Sequence, residues 1–180
     1  MTSALPQPES SEGSSAVSDA SPAEPAPFYV EGLENARAVV ELHTCAKSTS
    51  MDALSEALRE SLSESLRNSS IAVVPQSKRL SDIEMPLLRP GITPLIVMAS
   101  LVSLQQMQEA NNVSWEATVT TSLADHPGGS LRVVLTKKAA VSRASHTYRA
   151  EIHEKQMQQK AISAAAKALG EGIIISLPVL

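Results

Sequence analysis

Between Pro94 and Arg143, apolar and polar positions alternate in three runs, Leu95–Leu104, Val113–Leu123 and Leu131–Val141, each rich in residues that suit a pleated surface. In the middle run Val113, Trp115, Ala117, Val119, Thr121 and Leu123 fall on one side, and Ser114, Glu116, Thr118, Thr120 and Ser122 on the other. A period of two over that length predicts an antiparallel strand with one buried and one wet face. Polar stretches separate the runs, Gln105–Asn112 and Ala124–Ser130. The second holds Pro127, Gly128 and Gly129, which supply a fixed φ and then a positive φ for a chain reversal. The pattern predicts a three-stranded meander.

Upstream, Ala36–Leu42 reads as a short strand whose adjacent Val39 and Val40 predict cover on both faces. A polar loop ends at Ser50, a good N-cap, with Asp52 in the first turn where the helix dipole favours an anion. Leu54, Leu58, Leu62 and Leu66 then recur every fourth residue and predict an amphipathic helix from about Met51 to Arg67. Its other side, Ser55, Glu56, Arg59, Glu60 and Ser63, reads as solvated. Ile71–Val74 is a buried strand closed by Pro75, which completes a β-α-β unit. The connection Ser77–Pro94 contains Pro86, Pro90 and Pro94, with a short helix expected around Ser81–Leu87. A connection of that length in a compact domain is functional or covers something.

After the meander, Ser145 or Thr147 caps a second helix, carried by Tyr148, Ile152, Ile162, Ala165, Ala166 and Leu169 to Gly170, a natural residue to follow a helix end. Ile173–Leu177 is then a last strand or a tail laid in a groove, covered in either case because exposed isoleucines would aggregate. The expectation is an α/β fold with one domain over residues 28–180: a mixed sheet of about five strands packed by two main helices.

Composition changes this picture at one end. Residues 1–27 are biased to Ser, Pro, Ala and Glu with hardly a large apolar side chain, so burial cannot offset their ordering entropy, and a disordered, extended tether is expected. Glu9, Glu12, Asp19 and Glu24 stand there with no Lys or Arg, and the rest of the chain carries acids and bases in equal number, 15 each. That balance argues against phosphate-backbone binding, which an excess of cations drives, and no nucleic acid is expected as a partner. With a single cysteine, Cys45, no intramolecular disulfide can form. No apolar run approaches the roughly 18–20 residues that span a bilayer. The amino-terminal residues show neither a basic then apolar leader pattern nor a lipidation cysteine.

The segments Ala38–Leu42, Leu54–Leu66, Ile71–Pro75 and Leu95–Leu101 carry a resemblance. Their order and hydrophobic texture resemble the small α/β domain at the amino end of TolB. Curli-secretion lipoproteins of the CsgG type, lipoprotein activators of penicillin-binding proteins and related myxobacterial envelope domains are similar. The resemblance covers about Ala36 to Leu169 and includes no signature motif. It implies a non-catalytic docking domain, exported and often lipid-anchored behind a flexible linker, hence a periplasmic or cell-envelope location. The leader and lipobox cysteine usual in such proteins are missing here; without the resemblance a cytoplasmic location would be expected.

Reactive chemistry is sparse. His43 and Cys45, two apart, offer a nitrogen and a sulfur, but no second pair stands at ligand spacing, so no metal site is expected. Asp125-His126 beside the Pro-Gly-Gly turn lacks the Gly-x-Ser-x-Gly elbow of a hydrolase, and a turn Asp accepting backbone hydrogen bonds is the commoner role. His153-Glu154 has Met157 where a zinc protease needs its second histidine. No catalytic set and no cofactor site is expected. Lys137, Lys138, Arg143 and Arg149 cluster near the end of the third meander strand. They are candidate partner-docking or anion-contacting residues, set against the plainer role of lysines that keep a sheet edge from unwanted pairing. The sequence thus points to an interaction module that docks another protein through a sheet edge or the 77–94 connection. The alternative is a small-ligand domain with its pocket between the sheet and that connection, and a hydrolase ranks last.

Overall fold

A computed structural model describes residues 30–48, 51–83 and 90–177. The expected tether 1–27, the Ser50 cap and most of the Ser81–Leu87 helix lie outside the described residues. Five strands form one sheet: β1 (Ala38–Ala46), β2 (Ile71–Val73), β3 (Thr93–Glu109), β4 (Asn112–Asp125) and β5 (Leu131–Ala144), in the order β2-β1-β3-β4-β5. β1 pairs parallel with both β2 and β3, while β3, β4 and β5 form the antiparallel meander. Helix α1 (Asp52–Arg67) packs on β1 and helix α2 (Ala150–Ser176) on β4 and β5, with the two helices in contact.

The main core lies between helices and sheet. Leu58, Leu62 and Leu66 of α1 and Ile162, Leu169 and Ile173 of α2 meet Val40, Leu95, Leu101, Val119 and Leu123. The meander's predicted inner face, Val113 to Leu123, is buried throughout. A smaller cluster on the opposite face of β1 and β2 joins Val39, Ala72 and Val74 to Val30, Leu80 and Ile83, so adjacent Val39 and Val40 are each buried, on opposite sides. Leu80 belongs to a 3-10 turn, Leu80–Asp82, in the long connection, which covers this second face.

Several expectations need correction. Neither Ser145 nor Thr147 caps the second helix: both lie in a separate 3-10 turn, and α2 starts at Ala150 after Arg149. Ile173–Leu177 is neither strand nor separate tail, because α2 runs on through Gly170 and Gly172 to Ser176. Gly170 is a contact residue, not a terminator: a Cβ built there would sit on the Ser65 hydroxyl and 2.9 Å from Ser65 Cβ. The absent side chain lets α1 and α2 approach. The β3–β4 connection shrinks to Ala110–Asn111, because the strands keep pairing after their residues turn polar, in a hairpin end where Gln105, Gln106, Gln108 and Glu109 are exposed. On α1, Arg59 and Ser63 are buried, not solvated. Leucines four apart advance about 40° around the helix at each step, so the covered sector widens from the Leu54 side onto Arg59 and Ser63.

Candidate functional site

β1 has nine residues and β2 three, and their ladder stops at Val40–Val73. Val74 N–H still donates to the Val40 carbonyl at 2.8 Å. Pro75 then takes the chain away, and the second half of β1 runs on beyond the end of β2. The gap is a recess of about 310 Å³ lined by Glu41, Leu42, His43 and Thr44 of β1, Arg59 of α1, and Val74–Gln76, Lys78 and Arg79 after β2. It lies beyond the carboxyl end of β2, against the middle of β1 and beside the start of the 77–94 connection.

Alternation along β1 sends Glu41 and His43 to one face and Leu42 and Thr44 to the other, so both faces contribute. Glu41 is 7% exposed. Arg79 Nη1 donates to its Oε1 at 2.7 Å and the Leu80 N–H to its Oε2 at 2.7 Å, while His43 Nε2 lies 2.8 Å from Oε1. Burial by itself would raise the Glu41 carboxyl, but the Arg79 and Leu80 hydrogen bonds and the neighbouring His43 outweigh it and hold it below the usual glutamate value. This carboxylate anchors the start of the 3-10 turn and fixes Arg79 at the recess wall.

Arg59 reaches the recess from α1. It is 9% exposed and has no hydrogen-bond or ion-pair partner among the described residues. Arg59, Lys78 and Arg79 line the recess together with Glu41, the one carboxylate among its described lining residues. The sequence reading missed this group. The only signal was the diagonal Arg59, Ser63 and Leu66, which runs beside the leucine stripe at spacings of four and three.

The residues singled out by sequence fall elsewhere. Lys137 and Lys138 are adjacent on β5 and therefore point to opposite faces. Lys138 pairs with Glu116 at 3.4 Å. Arg143 Nε donates to Thr147 Oγ1 at 3.4 Å, and the Arg149 backbone N–H to His153 Nδ1 at 2.9 Å. His153 is held below its ordinary value by desolvation and by the nearby Arg143 and Arg149. Cys45 Sγ is 3.2 Å from Ser100 Oγ, and His43 is engaged by Glu41. The Asp125 carboxylate takes a charged hydrogen bond from Arg132, while its backbone closes the hairpin through Gly129 N–H and the Ser130 carbonyl. Among the described residues, no group of three or more His, Cys, Asp or Glu is placed to hold a metal ion.

A five-stranded mixed sheet with two helices on its main face defines a small α/β protein. No family model matches the chain, and no curated relative does. Solved structures share the fold. Protein XCC0632 of Xanthomonas campestris superposes with a TM-score of 0.57 at 10% identity over 78% of this chain and 85% of its own. A Caulobacter crescentus protein described as a lipoprotein gives 0.50 at 12% identity over 80% and 93%. A minor lipoprotein of Acinetobacter baumannii gives 0.50 at 15% identity over 76% and 92%. At these identities the likeness is one of fold. Among the described residues, no helix is long and apolar enough to cross a membrane.

Proposed function

We propose that the chain is a non-catalytic interaction module of the bacterial cell envelope, which docks another protein by strand addition along the outer edge of β5. The observation that carries this reading is the edge itself: among the described residues β5 pairs only with β4 and extends over 14 residues, whereas the opposite edge strand has three. A row of backbone donors and acceptors of that length is a template for a partner strand. Lys137, Lys138 and Arg143 lie along it and Arg149 just beyond, so the selected partner segment is acidic. The envelope location is supported by the fold shared with proteins described as lipoproteins and agrees with the TolB-type resemblance.

Adjacent residues on an antiparallel edge strand point their N–H groups alternately inward and outward. Of the two variants Leu135→Pro and Thr136→Pro, one loses a ladder bond and the other an outward N–H, and the latter keeps the fold. Partner capture from an extract of the source cells should fail with the folded variant and persist with Ile175→Asp, on an exposed position of α2. A folded proline variant that still captures the same partner refutes edge docking. A second reading, a small-ligand site between the sheet and the 77–94 connection, is supported by the recess at the end of β2.

A further inference from the structure

Over Ala38–Val40, β1 is paired on both sides, to β2 and to β3; from Glu41 to Ala46 it is paired to β3 alone. The Val40 carbonyl accepts from the Val74 N–H on the β2 side, and the Lys47 N–H donates to the Leu101 carbonyl on the β3 side. Backbone groups of successive strand residues point to alternate sides, so Leu42 and Thr44 turn both N–H and C=O toward the missing length of β2. Among the described residues these groups have no backbone partner. Leu42 is 5% exposed, and both residues line the recess of about 310 Å³, where their backbone faces. Backbone donors and acceptors so nearly buried call for a partner. The chain's own continuation of β2 does not supply it: Pro75 leads away, and Glu41 holds Arg79 and the Leu80 N–H. Donors and acceptors at strand spacing, on a strand fixed along its other side by β3, form a template for a further strand. Arg59 of α1 on one face, and Lys78 and Arg79 of the connection on the other, wall this cleft.

We propose that this flank of β1 binds a short extended peptide segment of a partner protein, which adds to the sheet beyond the end of β2 through hydrogen bonds to the backbone of Leu42 and Thr44. The flank from Leu42 to Ala46 is about 13 Å long at the rise of a strand, room for about four or five residues. Residues 1–27 of the chain are a poor source of such a strand, because their five prolines lack the N–H groups that a ladder needs. This inference is independent of docking at β5, and it assigns the recess to a peptide, not to a small molecule.

The test is a selection on the full chain from a phage-displayed library of random nonapeptides, followed by amide hydrogen exchange measured by NMR with the selected peptides. In the free chain the Leu42 and Thr44 amides should exchange faster than those of His43 and Cys45, which face β3, and bound peptide should protect both. Thr44→Pro removes an N–H that faces the flank and keeps the β3 ladder, so it should weaken peptide binding by about tenfold or more. The folded proline variant of β5 should bind as the wild type does. Methylating the backbone nitrogens of alternate peptide residues should abolish binding in one set and spare it in the other, a readout that stands whether or not Thr44→Pro folds. A library that yields no peptide, or two methylated sets with equal effect, overturns the proposal. So does slow exchange at Leu42 and Thr44 in the free chain, which would mean that the chain's own tail or a second copy already covers the flank. Peptides that protect amides of β5 and leave Leu42 and Thr44 unchanged overturn it as well, while keeping docking at β5 in place.

Discussion

Gly170 and Gly172 sit two residues apart in one helix, and replacing each with alanine should move stability in opposite directions. Intrinsic propensity favours alanine over glycine in a helix interior by about 1 kcal/mol at both sites. At Gly172 a new Cβ meets Leu135 Cδ1 at 3.2 Å and Lys137 Cε at 3.5 Å, both on side chains of the edge strand that can give way. Gly172→Ala should therefore gain about 0.5–1 kcal/mol. At Gly170 the new methyl falls on Ser65 Oγ and within 2.9 Å of Ser65 Cβ, an atom fixed to the α1 backbone. Overpacking of that kind costs about 1–3 kcal/mol, which leaves a net loss of up to about 2 kcal/mol once the propensity gain is subtracted. Ser65→Gly removes both colliding atoms at about 0.5 kcal/mol of propensity, so the Gly170→Ala/Ser65→Gly double variant should be more stable than the two single effects sum to. Urea unfolding followed by far-UV circular dichroism measures all four variants. Gly170→Ala as stable as Gly172→Ala, or a double-mutant cycle additive within about 0.5 kcal/mol, would refute the reasoning that this glycine sets the helix–helix approach.

Glu41→Gln should flatten the acid side of the stability profile. The folded carboxyl lies below its ordinary value, so its contribution is complete above about pH 4.3 and is lost as pH falls through the lower folded value. Urea midpoints taken from neutral pH downward check this, and an unchanged acid limb would contradict it. Tyr148→Phe deletes a buried hydroxyl that has no hydrogen-bond partner, so it should be neutral or stabilising by up to about 1 kcal/mol in thermal unfolding; a clear loss would mean the hydroxyl is satisfied. Leu58→Ala, at a fully buried position on α1, should cost about 2–5 kcal/mol in the same urea assay, and Leu58→Asp should abolish folding. Wild-type melting of the aspartate variant would remove α1 from the core.

The legible parts of the fold were those in which one period runs long enough to outweigh local noise. The apolar positions of β4 alternate over most of its fourteen residues, and four leucines mark α1, so strand, helix and their apolar buried faces followed from pattern, whereas buried Ser114 and Thr118 on the expected wet face of β4, and Arg59 and Ser63 on α1, did not. Strand ends did not follow from it, because pairing continues after burial stops: Gln105–Glu109 stay in the ladder although their exposed side chains give no sign of it. The end of α2 was misread for a different reason. Glycine often marks a helix terminus, yet the same absence of a side chain permits close packing, and only Ser65, 105 positions earlier in the chain, decides between the two roles at Gly170.

The recess was illegible for a related reason. Its lining comes from three separate segments, and nothing in a local window marks a strand as too short for its neighbour. Pro75 was read as the end of β2, but the consequence depends on β1 continuing to Ala46 past the last paired residue. An arginine one position after a core leucine looks solvated in a helical projection, and becomes a buried charge only when the covered sector drifts toward it. The same truncation that leaves β2 with three residues also exposes the flank of β1 and turns the chain into the 77–94 connection. Leu80 of that connection seals the second core, while Lys78 and Arg79 bring cations to face Arg59. Fold and candidate site therefore have one cause. Lengthening β2 would pair the flank of β1 and close the recess; leaving it short sets Arg59, Lys78 and Arg79 around the sheet's end.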